Sequence, residues 1–130
     1  MDATNFKELF GPEFWKFTEK FMESLKIEMP EEIYTERLTL IRVSNSVEKQ
    51  MWEVFLKGEN EHVGWFTLDM DAEVTYKISP KFRKKGFCTE ALVAMIEICP
   101  RHIAVRPVNL ASLRVTEKAK EKTSKPFSVI

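Results

Sequence analysis

Four short β-favouring runs follow one another between residues 33 and 79, and the connections between them are brief. Apolar side chains alternate with polar ones along these runs, as they do in strands that bury one face. The runs lie at residues 38–42, 51–56, 63–68 and 73–79. Because turns of this length join neighbouring strands that run in opposite directions, the sequence predicts an antiparallel meander.

Helical patterns precede and follow this meander. Apolar residues recur every three or four positions from Gly11 to about Ile27, which predicts a helix within an N-terminal segment of residues 1–30. A second apolar helix begins at Gly86 or Phe87 and ends before Pro100, because proline disfavours helical backbone in the residue ahead of it. A strand at 102–105, a helix from 110 to about 120 and a strand near 127–130 complete a single α+β domain of residues 33–130.

The fourth run leads into a basic turn. Three consecutive basic residues, Arg83, Lys84 and Lys85, precede Gly86 and the start of the apolar helix. The first amides of a helix have no partner within it, and the helix dipole attracts anions to that end. The turn therefore predicts an anion-binding site, although an ordinary strand-to-helix turn with solvated lysines would show the same pattern.

Three segments, in this order, resemble the GNAT family of N-acetyltransferases, and most closely its branch that acts on the N-termini of ribosomal proteins. Residues 35–40, with the sequence TERLTL, resemble that branch's first strand. Arg83 and Gly86 match the R-x-x-G of its acetyl-CoA loop, and the T-E-A-L that follows the loop is present at residues 89–92. Asn109 and Ser112 resemble the start of its last helix. The resemblance covers roughly residues 33–120 and implies a mixed, largely antiparallel sheet flanked by helices.

The resemblance also implies an activity and a set of site residues. The enzyme would transfer an acetyl group from acetyl-CoA, its cosubstrate, to a primary amine of a protein or peptide. By the resemblance, Ser112 would be the acid for the departing thiolate. The attacking amine must also lose a proton, and for that general base Glu73, at the start of the fourth run, is the first choice and Glu61 the second. Asn109, Ser112 and the two glutamates are also compatible with helix capping or with solvated strand ends. Coenzyme A would be held by Lys77, Ile78, Arg83, Lys84, Lys85, Gly86, Phe87, Cys88, Thr89 and Asn109.

Composition argues against several other classes. The 130-residue chain has a formal net charge of zero, which argues against nucleic-acid binding through its lysine clusters. No apolar run approaches the ~20 residues of a membrane span and no secretory signal is recognisable, so we expect a cytoplasmic protein that does not bind a membrane. His62 and His102 lack further ligand-type neighbours, and we expect no metal.

The chain departs from the resembling branch at two places. Only residues 43–50 join the first two runs, which is too short for the two helices that the branch inserts there. The segment after the last helix is too short for two full strands, so the sheet is either truncated or completed by a second copy of the chain, as a homodimer across an open edge. These departures favour an alternative hypothesis, a catalytically degenerate GNAT scaffold that binds a protein partner through its aromatic N-terminal helix or an open sheet edge.

Overall fold

The structure is a computed structural model that describes residues 25–130, together with Lys16 and Phe21. The predicted N-terminal helix lies almost entirely outside these residues, and the division of the chain near residue 30 stays a prediction. Within the described part, strands and helices follow in chain order. The strands are β1 (Glu32–Tyr34), β2 (Leu38–Asn45), β3 (Lys49–Leu56), β4 (His62–Asp69), β5 (Glu73–Ile78), β6 (Ala104–Val105) and β7 (Ser128–Val129); the helices are α1 (Phe87–Ile98) and α2 (Leu110–Lys122).

The described strands form one mixed sheet in which their spatial order equals their order in the chain. Strands β1 to β5 pair antiparallel, which confirms the predicted meander. Strands β6 and β7 each pair parallel to the preceding strand. Parallel neighbours need a crossover connection, and α1 and α2 supply the two crossovers. The predicted α+β class is therefore confirmed.

Alternate residues of the central strands form the buried face of the sheet. Trp52 on β3 lies opposite Phe66 on β4, and Phe66 lies opposite Tyr76 on β5, so these three side chains share one face. Trp52 and Phe66 have no exposed surface. Helix α1 packs against β2 and α2, and its Leu92 and Met95 are fully buried. Helices α1 and α2 pack against each other, Tyr76 on this face of the sheet bonds to α2, and the buried residues form one core cluster.

The segment that leads into β1 is fixed to β3 by side-chain hydrogen bonds. The buried Gln50 donates from Nε2 to the carbonyl of Ile27 at 2.7 Å. Trp52 donates from Nε1 to the carbonyl of Pro30 at 3.1 Å. An unpaired buried amide or indole N–H would cost about 1–3 kcal/mol, so these bonds favour one path for residues 27–30.

The two departures anticipated from the sequence are present. Strands β2 and β3 are joined by a tight hairpin closed at Ser46, whose amide donates to the Lys49 carbonyl at 3.2 Å, with no helix between them. The fifth predicted strand, at 102–105, is shorter than expected, because pairing with β5 involves only Ala104 and Val105. Strand β7 is likewise limited to two residues. The homodimer across an open edge stays a prediction.

None of the helices in the described part of the chain is long and apolar enough to cross a membrane.

Replacing Gly64 by alanine should destabilise the protein strongly. A Cβ at residue 64 would lie 2.1 Å from the Lys77 carbonyl oxygen of β5, which is backbone and cannot rotate away. We expect Gly64→Ala to lower the free energy of unfolding by ~3 kcal/mol, measured by urea denaturation. The control is Gly58→Ala, where φ is +82° but no atom lies within 4 Å of the added Cβ, so only backbone strain of about 1 kcal/mol is expected. Equal losses in the two variants would contradict the close approach of β4 and β5.

Candidate active site

Two left-handed residues shape the basic turn between β5 and α1. A short 3₁₀ turn at Pro80–Phe82 is followed by Lys84 with φ of 64° and Gly86 with φ of 82°. This conformation suits glycine and strains a lysine, and it bends the chain sharply into α1. Left-handed residues in such turns are common where backbone amides bind an anion.

The start of α1 has amides that no side chain caps. Gly86 is the N-cap residue and makes no side-chain cap bond, and the first intrahelical bond runs from the Glu90 amide to the Gly86 carbonyl at 3.0 Å. In the described part of the chain, the amides of Phe87, Cys88 and Thr89 consequently have no acceptor. These three of the predicted residues are thus brought together at the positive end of a helix.

Arg83 is more constrained than the sequence suggests. Its amide donates to the Pro80 carbonyl at 3.3 Å, so it is not among the free amides of the turn. Its Nε donates to the carbonyl of Ile78 at 3.1 Å, which ties the turn to the end of β5. Lys84 and Lys85 are exposed beside it. The side chain of Lys77 belongs to the opposite face of the sheet from that of Tyr76, because neighbouring residues of a strand alternate.

An ion pair between Arg37 and Glu90, which the sequence did not predict, also fixes the basic turn. Arg37, just before β2, donates from Nε to one Glu90 carboxylate oxygen at 2.7 Å and from its amide to the other at 2.9 Å. Its Nη1 donates to the Lys85 carbonyl at 3.0 Å. Arg37 and Glu90 belong to the two family-like segments TER and TEAL, so the motifs were visible in the sequence, but not their contact across 53 residues.

The carboxylate of Glu90 is stabilised in its charged form. Burial opposes ionisation, but hydrogen bonds from Thr35 and Arg37 and the charge of Arg37 outweigh it and lower the pKa of Glu90 below its usual value of 4.5. The guanidinium of Arg37 also lies over the Phe87 ring, with Cζ 4.5 Å from the ring centroid. The first turn of α1 is therefore fixed by charge and by packing.

Tyr76 on β5 connects the sheet to α2, a contact that the sequence did not predict. Its ring stacks on Phe66, with centroids 5.1 Å apart, and its hydroxyl donates to the carbonyl of Ser112 at 3.3 Å. Burial, together with the nearby Cys88, raises the pKa of Tyr76 to about 12, against the opposing effect of the Ser112 hydrogen bond. The phenol is protonated at neutral pH and acts there as a hydrogen-bond donor.

Cys88 has the properties of an inert thiol. Burial raises its pKa to about 12, although it lies in the first turn of a helix, where a thiolate would be favoured by the dipole. Burial therefore dominates, and the structure favours a packing role for Cys88 over a nucleophilic one.

Asn109 and Ser112 lie where α2 begins. Asn109 is the N-cap residue, and its Oδ1 accepts the Ser112 amide at 2.8 Å. Capping is thus an observed role of Asn109, which leaves its side-chain amide group as a further donor. The carbonyl of Ser112 accepts the Tyr76 hydroxyl of β5, and the residue is partly exposed.

The two candidate bases have different surroundings. Glu73 begins β5 and pairs with Arg106, with Oε1 and Nε 3.0 Å apart. Glu61 is paired with Lys81 of the turn. Glu73 lies beside Ala104, next to the last paired residues of β5 and β6, whereas Glu61 lies in the connection before β4. Of the two glutamates, Glu73 is the one on β5, one residue before the last residue of β5 that pairs with β6.

Comparisons with known proteins identify the family and the fold. The model of the family described as "Acetyltransferase (GNAT) domain" matches residues 1–120. The chain belongs to the GNAT family of acetyltransferases. Its fold is similar to that of a Vibrio cholerae protein assigned as a ribosomal-protein-serine acetyltransferase, with a TM-score of 0.54 and 17% identity, over 70% of this chain and 84% of that chain. A search of curated proteins finds no match.

The Glu90 contacts predict a pH dependence of stability. Because the pKa of Glu90 is lowered on folding, its contribution is present above the usual value of 4.5 and is lost as pH falls through the lower folded value. We expect Glu90→Gln to cost ~1–2 kcal/mol near neutral pH, measured as the free energy of unfolding in urea. Between about pH 5 and pH 3 the wild type should lose stability more steeply than this variant.

The matched control is Glu117→Gln, which removes an exposed carboxylate from α2. Its stability profile should run parallel to that of the wild type. If the profile of Glu90→Gln is also parallel, the carboxylate is not stabilised as described.

Proposed function

We propose that this acetyltransferase uses acetyl-CoA and transfers the acetyl group to a primary amine of a protein or peptide. The observation that carries the proposal is the uncapped start of α1 at Gly86, immediately beyond the end of β5. Beyond Val74, β5 has no strand paired on its β6 side in the described part of the chain. A ligand with an anionic head and an extended amide-containing arm suits both features.

The coenzyme diphosphate fits the turn. The amides of Phe87, Cys88 and Thr89 would donate to its oxygens, and Lys84 and Lys85 would add charge. Gly86 would let the phosphates approach the backbone, because it has no Cβ. Exposed lysines contribute modestly, so the proposal relies mainly on the helix amides.

The pantetheine arm fits the free edge of β5. The Ser79 amide donates to the Val63 carbonyl in β4 at 2.9 Å. Since successive residues of a strand direct their amides to opposite sides, the Ile78 and Tyr76 amides face away from β4. They could pair with the amides of the arm as a further strand would. The Ile78 carbonyl is already bound by Arg83, which leaves its amide as the donor at that end.

Acid and base would act from opposite faces of the sheet. Ser112 lies on the helix side, next to Tyr76, whereas the side chain of Glu73 has the opposite orientation along β5. Acetyl-CoA would supply the acetyl group as a thioester. Glu73 would accept a proton from the attacking amine, and Ser112 would donate one to the sulfur as the carbon–sulfur bond breaks. The gap between β5 and β6 would let the two substrates meet.

Calorimetry with acetyl-CoA tests the binding site. The wild type should bind, and Gly86→Arg should lose at least about tenfold in affinity, because the new side chain would fill the approach to the free amides. Gly58→Arg is the matched control for backbone strain: Gly58 has the same φ of 82°, and no atom lies within 4 Å of the position of an added Cβ. Lack of binding by the wild type at millimolar acetyl-CoA would refute the proposed function.

Steady-state kinetics with a peptide that has a free N-terminus test the catalytic assignments. Glu73→Gln and Ser112→Ala should lower kcat by ~10²–10⁴, while the Kd for acetyl-CoA changes little. Glu61→Gln removes the other candidate base and should keep most of kcat. A large loss in Glu61→Gln together with an active Glu73→Gln would reverse the assignment of the base.

A non-catalytic binding module is the second candidate. Two observations favour it, the bare β2–β3 hairpin and the two-residue lengths of β6 and β7. The aromatic N-terminal helix proposed as its docking element lies almost entirely outside the described residues. The calorimetric test separates the two functions, because a module of this kind does not require acetyl-CoA.

A further inference from the structure

We propose that Arg37 is a further coenzyme-binding residue, whose guanidinium lies beside Gly86 and contacts the diphosphate directly. The proposal rests on the proposed function above and adds a residue from outside the loop motif. It depends on contacts between the start of β2 and the start of α1.

The guanidinium of Arg37 is already oriented. Its Nε is bound to Glu90 at 2.7 Å and its Nη1 to the Lys85 carbonyl at 3.0 Å. The ring of Phe87 lies beneath it, 4.5 Å from Cζ. Ligand binding to a mobile arginine would lower its side-chain entropy. Because Arg37 is already ordered in the folded protein, binding would cause little further loss. A ligand would therefore meet a fixed donor group.

The remaining edge of this guanidinium faces the turn. In the described part of the chain, Nη2 has no acceptor, and it lies 3.2 Å from the position that a Cβ on Gly86 would occupy. The Arg37 side chain is 43% exposed, so a ligand can reach it. The two N–H groups of Nη2 are therefore available next to Gly86. An arginine fork of this kind suits phosphate oxygens.

Charge gives a second reason for an arginine at this position. Glu90 lies in the first turn of α1, where a carboxylate would repel an incoming diphosphate. Pairing with Arg37 neutralises that carboxylate. A lysine would keep the charge, but its single ammonium could not bind Glu90, the Lys85 carbonyl and a ligand in the same fork geometry.

The test compares the Kd for acetyl-CoA, by calorimetry, in the wild type and four variants. We expect Arg37→Gln to weaken binding on the order of tenfold and Arg37→Lys to recover only part of the loss. Arg37→Gln/Glu90→Gln should remain weak, because removing the bare carboxylate does not restore the lost contact. Arg101→Gln, which removes an exposed arginine bound to the Met70 carbonyl, should bind like the wild type. Added salt should weaken the wild type more steeply than Arg37→Gln.

Wild-type affinity in Arg37→Gln, or its full recovery in the double variant, would overturn the inference while leaving the proposed function intact. Failure of the wild type itself to bind would overturn the proposed function and, with it, this inference. Thermal unfolding of each variant checks the fold. If Arg37→Gln does not fold, Arg37→Lys decides: a Kd equal to that of the wild type counts against a fork contact.

Discussion

The short parallel pairing of β5 with β6 determines the layout of the candidate active site. These strands share only the pairs Glu73–Ala104 and Val74–Val105. Beyond them β5 continues to Ile78, which leaves amides that would otherwise be used in the sheet. The crossover through α1 begins just past the end of β5, and the crossover through α2 follows β6. The three parts of the site therefore follow one another along the chain. They are the free edge of β5, the free amides at the start of α1, and Ser112 at the start of α2.

Electrostatics in this protein are local and do not come from net charge, which is zero. The basic turn contributes exposed lysines, and α1 contributes its partial positive end. The carboxylate of Glu90 adds a negative charge at this end of α1, and the ion pair with Arg37 neutralises it. A site of this kind is suited to a ligand with a compact anionic group on a mostly neutral arm. It is less suited to a long polyanion, which requires charge spread over a wide surface.

Local sequence patterns predicted most of the strands and helices. They did not predict contacts between residues that are far apart in the sequence. The alternation of apolar residues predicted strands β2 to β5, and the turn and Pro100 bounded α1. Strand β1 escaped a specific prediction because its three residues are defined by pairing with β2 and not by their own pattern. Ser112 was singled out through motif resemblance, Gly86 also through the basic turn before α1, and Glu73 through its position at the start of β5. Arg37 and Tyr76 were not, since their partners lie 53 and 36 residues away, a separation that periodicity does not encode.

The close contact at Gly64 also bears on motion. Along its length β5 is held by β4, and at Gly64 the two backbones leave no room for even a methyl group. Because β5 is fixed against β4, the cleft between β5 and β6 can widen only if β6 moves. Opening of the cleft would therefore be carried by β6 and the start of α2, which are restrained by two strand pairs, the Glu73–Arg106 ion pair and the Tyr76–Ser112 contact.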